Sequence, residues 1–181
     1  AQQLYFTYNI DDLKLANCFI VTVPTPIDKF KKPDLKYIND SFKILEKIIK
    51  KGDIIVLEST VYPGVTQKFT QQLEKKTKMV NNKDFYVCYS PERINPGDKK
   101  RTLRNITKIV SGSNQKALKL VDELYLSIIS EAGTFPVKTI EIAEAAKAIE
   151  NAQRDLNIAF VNELSVIFEK MNINTEEVLK A

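Results

Sequence analysis

Three short runs constrain what this chain can fold into. Residues 18–23 (Cys-Phe-Ile-Val-Thr-Val), 54–57 (Ile-Ile-Val-Leu) and 85–89 (Phe-Tyr-Val-Cys-Tyr) are apolar at almost every position, and each stops at residues that cannot continue a strand. A strand wetted on one face alternates apolar with polar residues, whereas a run apolar throughout reads as a strand covered on both faces. Between the first two, Leu35, Ile38, Phe42, Leu45, Ile48 and Ile49 recur at spacings of three and four, which predicts an amphipathic helix capped by Asp34 and ended by Gly52. Thr66 is the expected cap of a second helix running through Leu73. Further on, residues 106–110 read as another strand, 113–126 as a capped helix and 133–137 as a short extended link, while Asp11, Asp12 and Leu13 mark a brief helical start. Strands alternating with helices predict an α/β fold, a parallel sheet with helices on both faces.

The strand ends carry the unusual chemistry. Pro24-Thr25-Pro26 closes the first run, Glu58-Ser59-Thr60 the second and Ser90-Pro91-Glu92-Arg93 the third. Proline cannot extend a central strand, so the chain turns there and leaves carbonyls and hydroxyls at the carboxyl end of the sheet, where such sheets gather ligands. The loop from Cys88 to Lys99 holds two prolines and a glycine, which restrict it to few conformations and hold Glu92 and Arg93 in place. Three of the four arginines, Arg93, Arg101 and Arg104, lie in or just after that loop. Arginine suits bidentate recognition of phosphate or carboxylate, so the cluster points to an anionic ligand.

From Thr139 the pattern becomes one long helix, with no proline or glycine before Asn172. At about 1.5 Å per residue it would run roughly 50 Å, too long for so small a domain to wrap. Its apolar face is expected at Ile142, Ala146, Ile149, Ala152, Leu156, Ala159, Phe160, Leu164, Ile167 and Met171, with Lys147, Asn151, Arg154, Asp155 and Asn162 on a polar face opposite. The division expected is a partial nucleotide-binding domain over residues 1–137 and, over 138–181, the long helix and the start of a second domain.

Composition narrows the function classes. The 181 residues carry a net charge of only +4, with lysines interspersed among acids, which argues against nucleic-acid binding. No apolar run is long enough to cross a bilayer, and the first residues have neither the basic start nor the apolar centre of a secretory signal. Cys18 and Cys88 both sit in strand-like runs, where small buried hydrophobes are expected, and the expected setting is a reducing cytoplasm.

Four ordered motifs now meet. Val-Thr-Val-Pro-Thr-Pro at 21–26, Glu-Ser-Thr-Val-Tyr-Pro-Gly-Val-Thr at 58–66, Tyr-Ser-Pro-Glu-Arg-Ile-Asn-Pro-Gly-Asp at 89–98 and Lys-Ala-Ile-Glu-Asn at 147–151 resemble the nucleotide-sugar 6-dehydrogenases of the UDP-glucose/GDP-mannose dehydrogenase family. Within it, the third motif is most similar to that of the enzymes acting on UDP-N-acetylhexosamines for surface polysaccharides. The resemblance implies a partial Rossmann-like sheet, the C-terminal half of an NAD-binding domain, followed by a long central helix. It implies two NAD-dependent oxidations of a sugar C6 alcohol to a carboxylate through an enzyme-bound thioester, and a homodimer formed through the long helix. It places Pro24, Thr25, Ser59 and Thr60 against NAD, makes Glu92 the acid-base carboxylate, and sets Lys147 and Asn151 about the reacting C6 oxygen. Glu92, Arg93, Ile94, Asn95, Lys147 and Asn151 would contact the UDP-sugar substrate. No metal, membrane or nucleic acid is implied.

Two family features are missing from these residues. No Gly-x-Gly-x-x-Gly turn occurs, and neither Cys18 nor Cys88 has the Gly-x-Cys context of the family's catalytic cysteine. The chain is therefore expected to be a middle piece of a longer enzyme, inactive alone. Two other readings stay open at this point. One is a β-hydroxyacid dehydrogenase-like enzyme, which also presents lysine and asparagine four apart on a long helix. The other is a non-catalytic Rossmann-derived module that dimerises through the helix.

Overall fold

The computed structural model describes residues 4–94, 102–129 and 131–181. Its elements in chain order are α1 (Ile10–Leu13), β1 (Cys18–Val21), α2 (Lys36–Ile48), β2 (Ile54–Leu57), α3 (Val65–Thr77), β3 (Tyr86–Tyr89), β4 (Lys108–Gly112), α4 (Gln115–Leu126), β5 (Thr134–Pro136), α5 (Ile140–Lys170) and α6 (Thr175–Lys180). Two compact units emerge, Ala1–Lys147 and Ala148–Ala181, with the boundary inside α5.

In the first unit the five strands lie side by side in sequence order. β1, β2 and β3 are parallel and in step: Val21 pairs with Leu57, and Leu57 with Tyr89. Alternate side chains of a strand leave on opposite faces, so each apolar run supplies two cores. On one face Phe19, Val21, Ile55, Leu57, Phe85, Val87 and Tyr89 meet α2, α3 and the first turns of α5. There the rings of Phe42 from α2 and Phe69 from α3 stack with centroids 5.0 Å apart. On the other face Val56, Tyr86, Cys88 and Val110 meet Ala117, Val121 and Tyr125 of α4. The sequence expectation of helices on both faces therefore holds.

One strand departs from the parallel expectation. β4 runs antiparallel to β3, with Cys88 opposite Gly112 and Tyr89 opposite Ser111, and it begins two residues later than the apolar pattern indicated. A parallel connection needs a crossover of a dozen or more residues, usually a helix. Among the described residues between β3 and β4 there is no helix, and the chain returns along the strand it has just left. The expected link at 133–137 is itself a strand: β5 pairs parallel with β4 through Lys108 and Thr134, and Pro136 is tolerated because β5 is an edge.

Helix ends follow local chemistry in some places and distant chemistry in others. Asp34 accepts the Lys36 N–H at 2.9 Å, two residues on, so it satisfies the α2 start although Leu35 is the residue at the cap position. Asn114, one residue inside the expected start, caps α4 by accepting the Ala117 N–H. Thr66 does not cap α3; it lies within the helix, which starts behind Gly64 at φ +93° and continues to Thr77. Glu144 of α5 takes that role. Its Oε2 accepts the Gly64 N–H at 2.6 Å, and its Oε1 accepts the Thr66 N–H at 2.9 Å and the Thr66 hydroxyl at 2.6 Å.

α5 also corrects the expected face. The residues it buries are Ile140, Ala143, Glu144 and Lys147, not a line beginning at Ile142, which is exposed. Lys147 is accordingly 8% exposed rather than part of a solvated face. In the second unit Ile149, Leu156, Phe160, Ile167 and Met171 are exposed. No helix among the described residues is long and apolar enough to cross a membrane.

Candidate active site

Because β1, β2 and β3 end at one level, the loops that follow open together. The Glu58 N–H donates to the Val21 carbonyl at 2.9 Å and the Ser90 N–H to that of Leu57 at 3.0 Å, which carries the ladder one step past the strands. Beyond it lies a cleft of about 310 Å³ lined by Thr22, Val23, Pro24, Thr25, Glu58, Ser59, Thr60 and Glu92. Four residues expected at a cofactor and the expected acid-base carboxylate thus share one site, supplied by three loops.

The hydroxyls there are not equivalent. Ser59 is buried and its Oγ donates to the Val23 carbonyl at 2.6 Å, tying the second loop to the first. Thr25 Oγ1 is buried without a hydrogen-bond partner among the described residues. Buried polar atoms are seldom left so, and an orphan in a cleft wall fits a site that a polar ligand completes.

Glu92 is fixed by its own loop. Its Oε1 accepts the N–H of Arg93 at 2.6 Å and of Ile94 at 2.7 Å. Two backbone donors on one oxygen set the orientation of the carboxylate. Arg93 turns away to donate from Nη1 to the Thr107 carbonyl at 3.0 Å, and neither it nor Lys147 lines the cleft. Lys147 closes the first unit, Asn151 is exposed in the second, and Asn95 lies outside the described residues.

A buried charged cluster stands behind the cleft, and the sequence pattern did not single it out. Lys108 Nζ lies 3.1 Å from Glu58 Oε1, with the lysine side chain 3% and the glutamate 13% exposed. The Tyr125 hydroxyl donates to the same Glu58 oxygen. The lysine also sits over the Tyr125 ring at 4.9 Å and makes a long contact, 3.5 Å, with the Pro91 carbonyl. Burial, and next the Glu58 carboxylate, push the Tyr125 phenol up, so it stays a donor. The one available signal was a lysine inside an otherwise apolar, β-branched run.

The two cysteines lie within β1 and β3, and neither lines the cleft. Burial pushes the Cys88 thiol up to about 12, and its Sγ donates to the Ala117 carbonyl at 3.4 Å. Burial, and then Asp53, raise Cys18 as well. Neither has the thiolate character of a nucleophile, as the sequence context indicated.

Comparison with known proteins agrees with this architecture. Residues 1–129 match the family model described as the UDP-glucose/GDP-mannose dehydrogenase family, NAD binding domain, and residues 141–181 match that family's central domain. The chain belongs to the UDP-glucose/GDP-mannose dehydrogenase family. It is 53% identical to a UDP-N-acetyl-D-glucosamine 6-dehydrogenase of Pseudomonas aeruginosa over 100% of this chain and 43% of that protein. It is 33% identical to a UDP-N-acetyl-D-mannosamine dehydrogenase of Pyrococcus horikoshii over 98% of this chain and 42% of that one. A solved structure of the UDP-D-ManNAc dehydrogenase from Pyrococcus horikoshii superposes with a TM-score of 0.89, covering 96% of this chain and 41% of that chain. The chain therefore spans less than half the length of these relatives.

Proposed function

We propose that this chain is part of an NAD-dependent nucleotide-sugar 6-dehydrogenase that oxidises the C6 alcohol of a UDP-N-acetylhexosamine to the carboxylate in two hydride transfers. The observation that carries the reading is the cleft itself. It brings Pro24, Thr25, Ser59, Thr60 and Glu92 together at the carboxyl ends of three parallel strands, with the Thr25 hydroxyl buried and unpartnered among the described residues. Such an end of an α/β sheet is where dinucleotides sit.

NAD, when bound, supplies the hydride acceptor. The chain's own residues do the holding: the turn at Pro24 and Thr25 and the turn at Ser59 and Thr60 offer hydroxyl and backbone groups to it. Glu92, oriented by its two backbone donors, moves a proton at water or at the C6 oxygen. Lys147 and Asn151, four apart on α5, stabilise negative charge developing on that oxygen. Arg93, Ile94 and Asn95 belong to the sugar-nucleotide side. Residues 1–137 form the dinucleotide-binding part and 138–181 open the next domain. The exposed apolar side chains of α5 beyond Lys147 support a homodimer formed through that helix. The unbonded Cys18 and Cys88 support a reducing, cytoplasmic setting.

The test is NADH formation by the full-length protein with UDP-N-acetylglucosamine and UDP-N-acetylmannosamine. Glu92→Gln and Lys147→Ala should each lower kcat by about a hundredfold or more. Full activity in both variants would refute the site.

A further inference from the structure

Among the described residues, those lining the cleft include two carboxylates, Glu58 and Glu92, and no cationic side chain. A dinucleotide brings a doubly charged pyrophosphate to that end of the sheet, and like charges in a partly dry site repel strongly. Glu92 sits on a loop and is met by two N–H groups. Glu58 has something stronger behind it, a lysine that the cleft never exposes.

We propose that Lys108 is a positioning residue for the dinucleotide cleft: it neutralises and anchors the Glu58 carboxylate in the cleft wall, so that an anionic cofactor can be held there. The inference rests on the dinucleotide reading of the cleft. Its geometry is specific. Lys108 Nζ and the Tyr125 hydroxyl both engage Glu58 Oε1 from the buried side, which fixes the side chain by one oxygen and keeps its charge paired away from the ligand. Lys108 reaches Glu58 from β4, the strand that runs antiparallel, and the same ammonium touches the Pro91 carbonyl one residue before Glu92. One buried cation therefore ties the end of β2 to the loop that carries the acid-base carboxylate.

Among the described residues, Lys108 from β4 and Tyr125 from α4 bond Glu58, and Glu92 lines the same cleft. Remove the lysine and the only cation of that set is gone. The Glu58 carboxylate then faces the anionic cofactor with no cation behind it.

The experiment is calorimetric titration of the full-length protein with NADH. Lys108→Met should weaken binding by tenfold or more. Adding Glu58→Gln to Lys108→Met should bring the affinity back to within about threefold of the parent. Glu58→Gln alone, which keeps the shape and leaves the cation in excess, should tighten NADH binding by about threefold. A loss in Lys108→Met that is not rescued by Glu58→Gln would overturn the proposal, as would no loss at all. If Lys108→Met does not fold, the single Glu58→Gln variant decides: unchanged or weaker binding refutes the neutralising role. Failure of the parent protein to bind NADH would instead remove the dinucleotide reading on which the inference stands.

Discussion

Replacing Glu144 with alanine tests how this domain is held together. The carboxylate is fully buried and accepts three hydrogen bonds, from the Gly64 and Thr66 N–H groups and the Thr66 hydroxyl, 78 to 80 residues earlier in the chain. It also meets the N-terminus of α3, where the helix dipole favours a negative charge by up to about 2 kcal/mol in a buried setting. Hydrogen bonds to a charged group contribute about 1.5–3 kcal/mol each, and the cost of drying the carboxylate cancels part of that sum. Alanine leaves three donors without an acceptor, in a place water reaches poorly. A net loss of about 3 kcal/mol follows, near the upper end for a lost cap plus a buried polar defect. In a protein of this size about 1 kcal/mol moves Tm by roughly 2–4 °C, so the fall should be about 6–12 °C. Glutamine keeps one oxygen for Thr66 but turns an amide donor toward the Gly64 N–H, and should lose about half as much. Urea and thermal melts of the parent, Glu144→Gln and Glu144→Ala proteins give the ordering. A loss below about 1 kcal/mol in Glu144→Ala would show that desolvation cancels the hydrogen bonds, and the cap argument would fail.

Thr25→Val should leave the melting midpoint within about 1 °C of the parent, because the buried hydroxyl has no partner among the described residues to lose, yet weaken NADH binding measured by titration. A β-carbon at Gly112 would lie 2.2 Å from the Leu118 backbone nitrogen of α4, so Gly112→Ala should cost about 3 kcal/mol or more in a urea melt, or prevent folding. Cys88, with its thiol pushed up to about 12 by burial, contributes stability that is complete below its ordinary value near 9 and is lost as pH rises toward 12. The unfolded chain binds fewer protons there, so stability falls by up to about 1.4 kcal/mol per pH unit from this group, and Cys88→Ala should flatten the alkaline limb of a stability–pH curve. For the same reason a thiol reagent at pH 8 should modify Cys88 only after unfolding.

What the sequence determined by itself was local in origin. Apolar runs, proline stops and three-and-four spacing are set by neighbouring residues, and they located β1, β2, β3, α4 and the start of α2 to within a residue or two, and the three loops at one end of the sheet; α2 itself stops at Ile48, short of the expected end at Gly52. They even brought Pro24, Thr25, Ser59, Thr60 and Glu92 to one end, because strands buried on both faces run parallel and their carboxyl ends coincide. The remaining features depend on partners far apart in the chain. Periodicity marked Lys147 as polar and therefore wet, but whether a polar stripe meets water depends on what packs over it, and the first turns of α5 pack on the core. Thr66 looked like a cap because a hydroxyl before an apolar run usually is one; the carboxylate that takes its place comes from α5. The direction of β4 rested on the path between strands, not on the strand's own residues. The same holds for Lys108, which sat in an apolar run as an anomaly until Glu58 from β2's end and Tyr125 from α4 closed around its charge, since burial of an ion is tolerable only where a partner arrives.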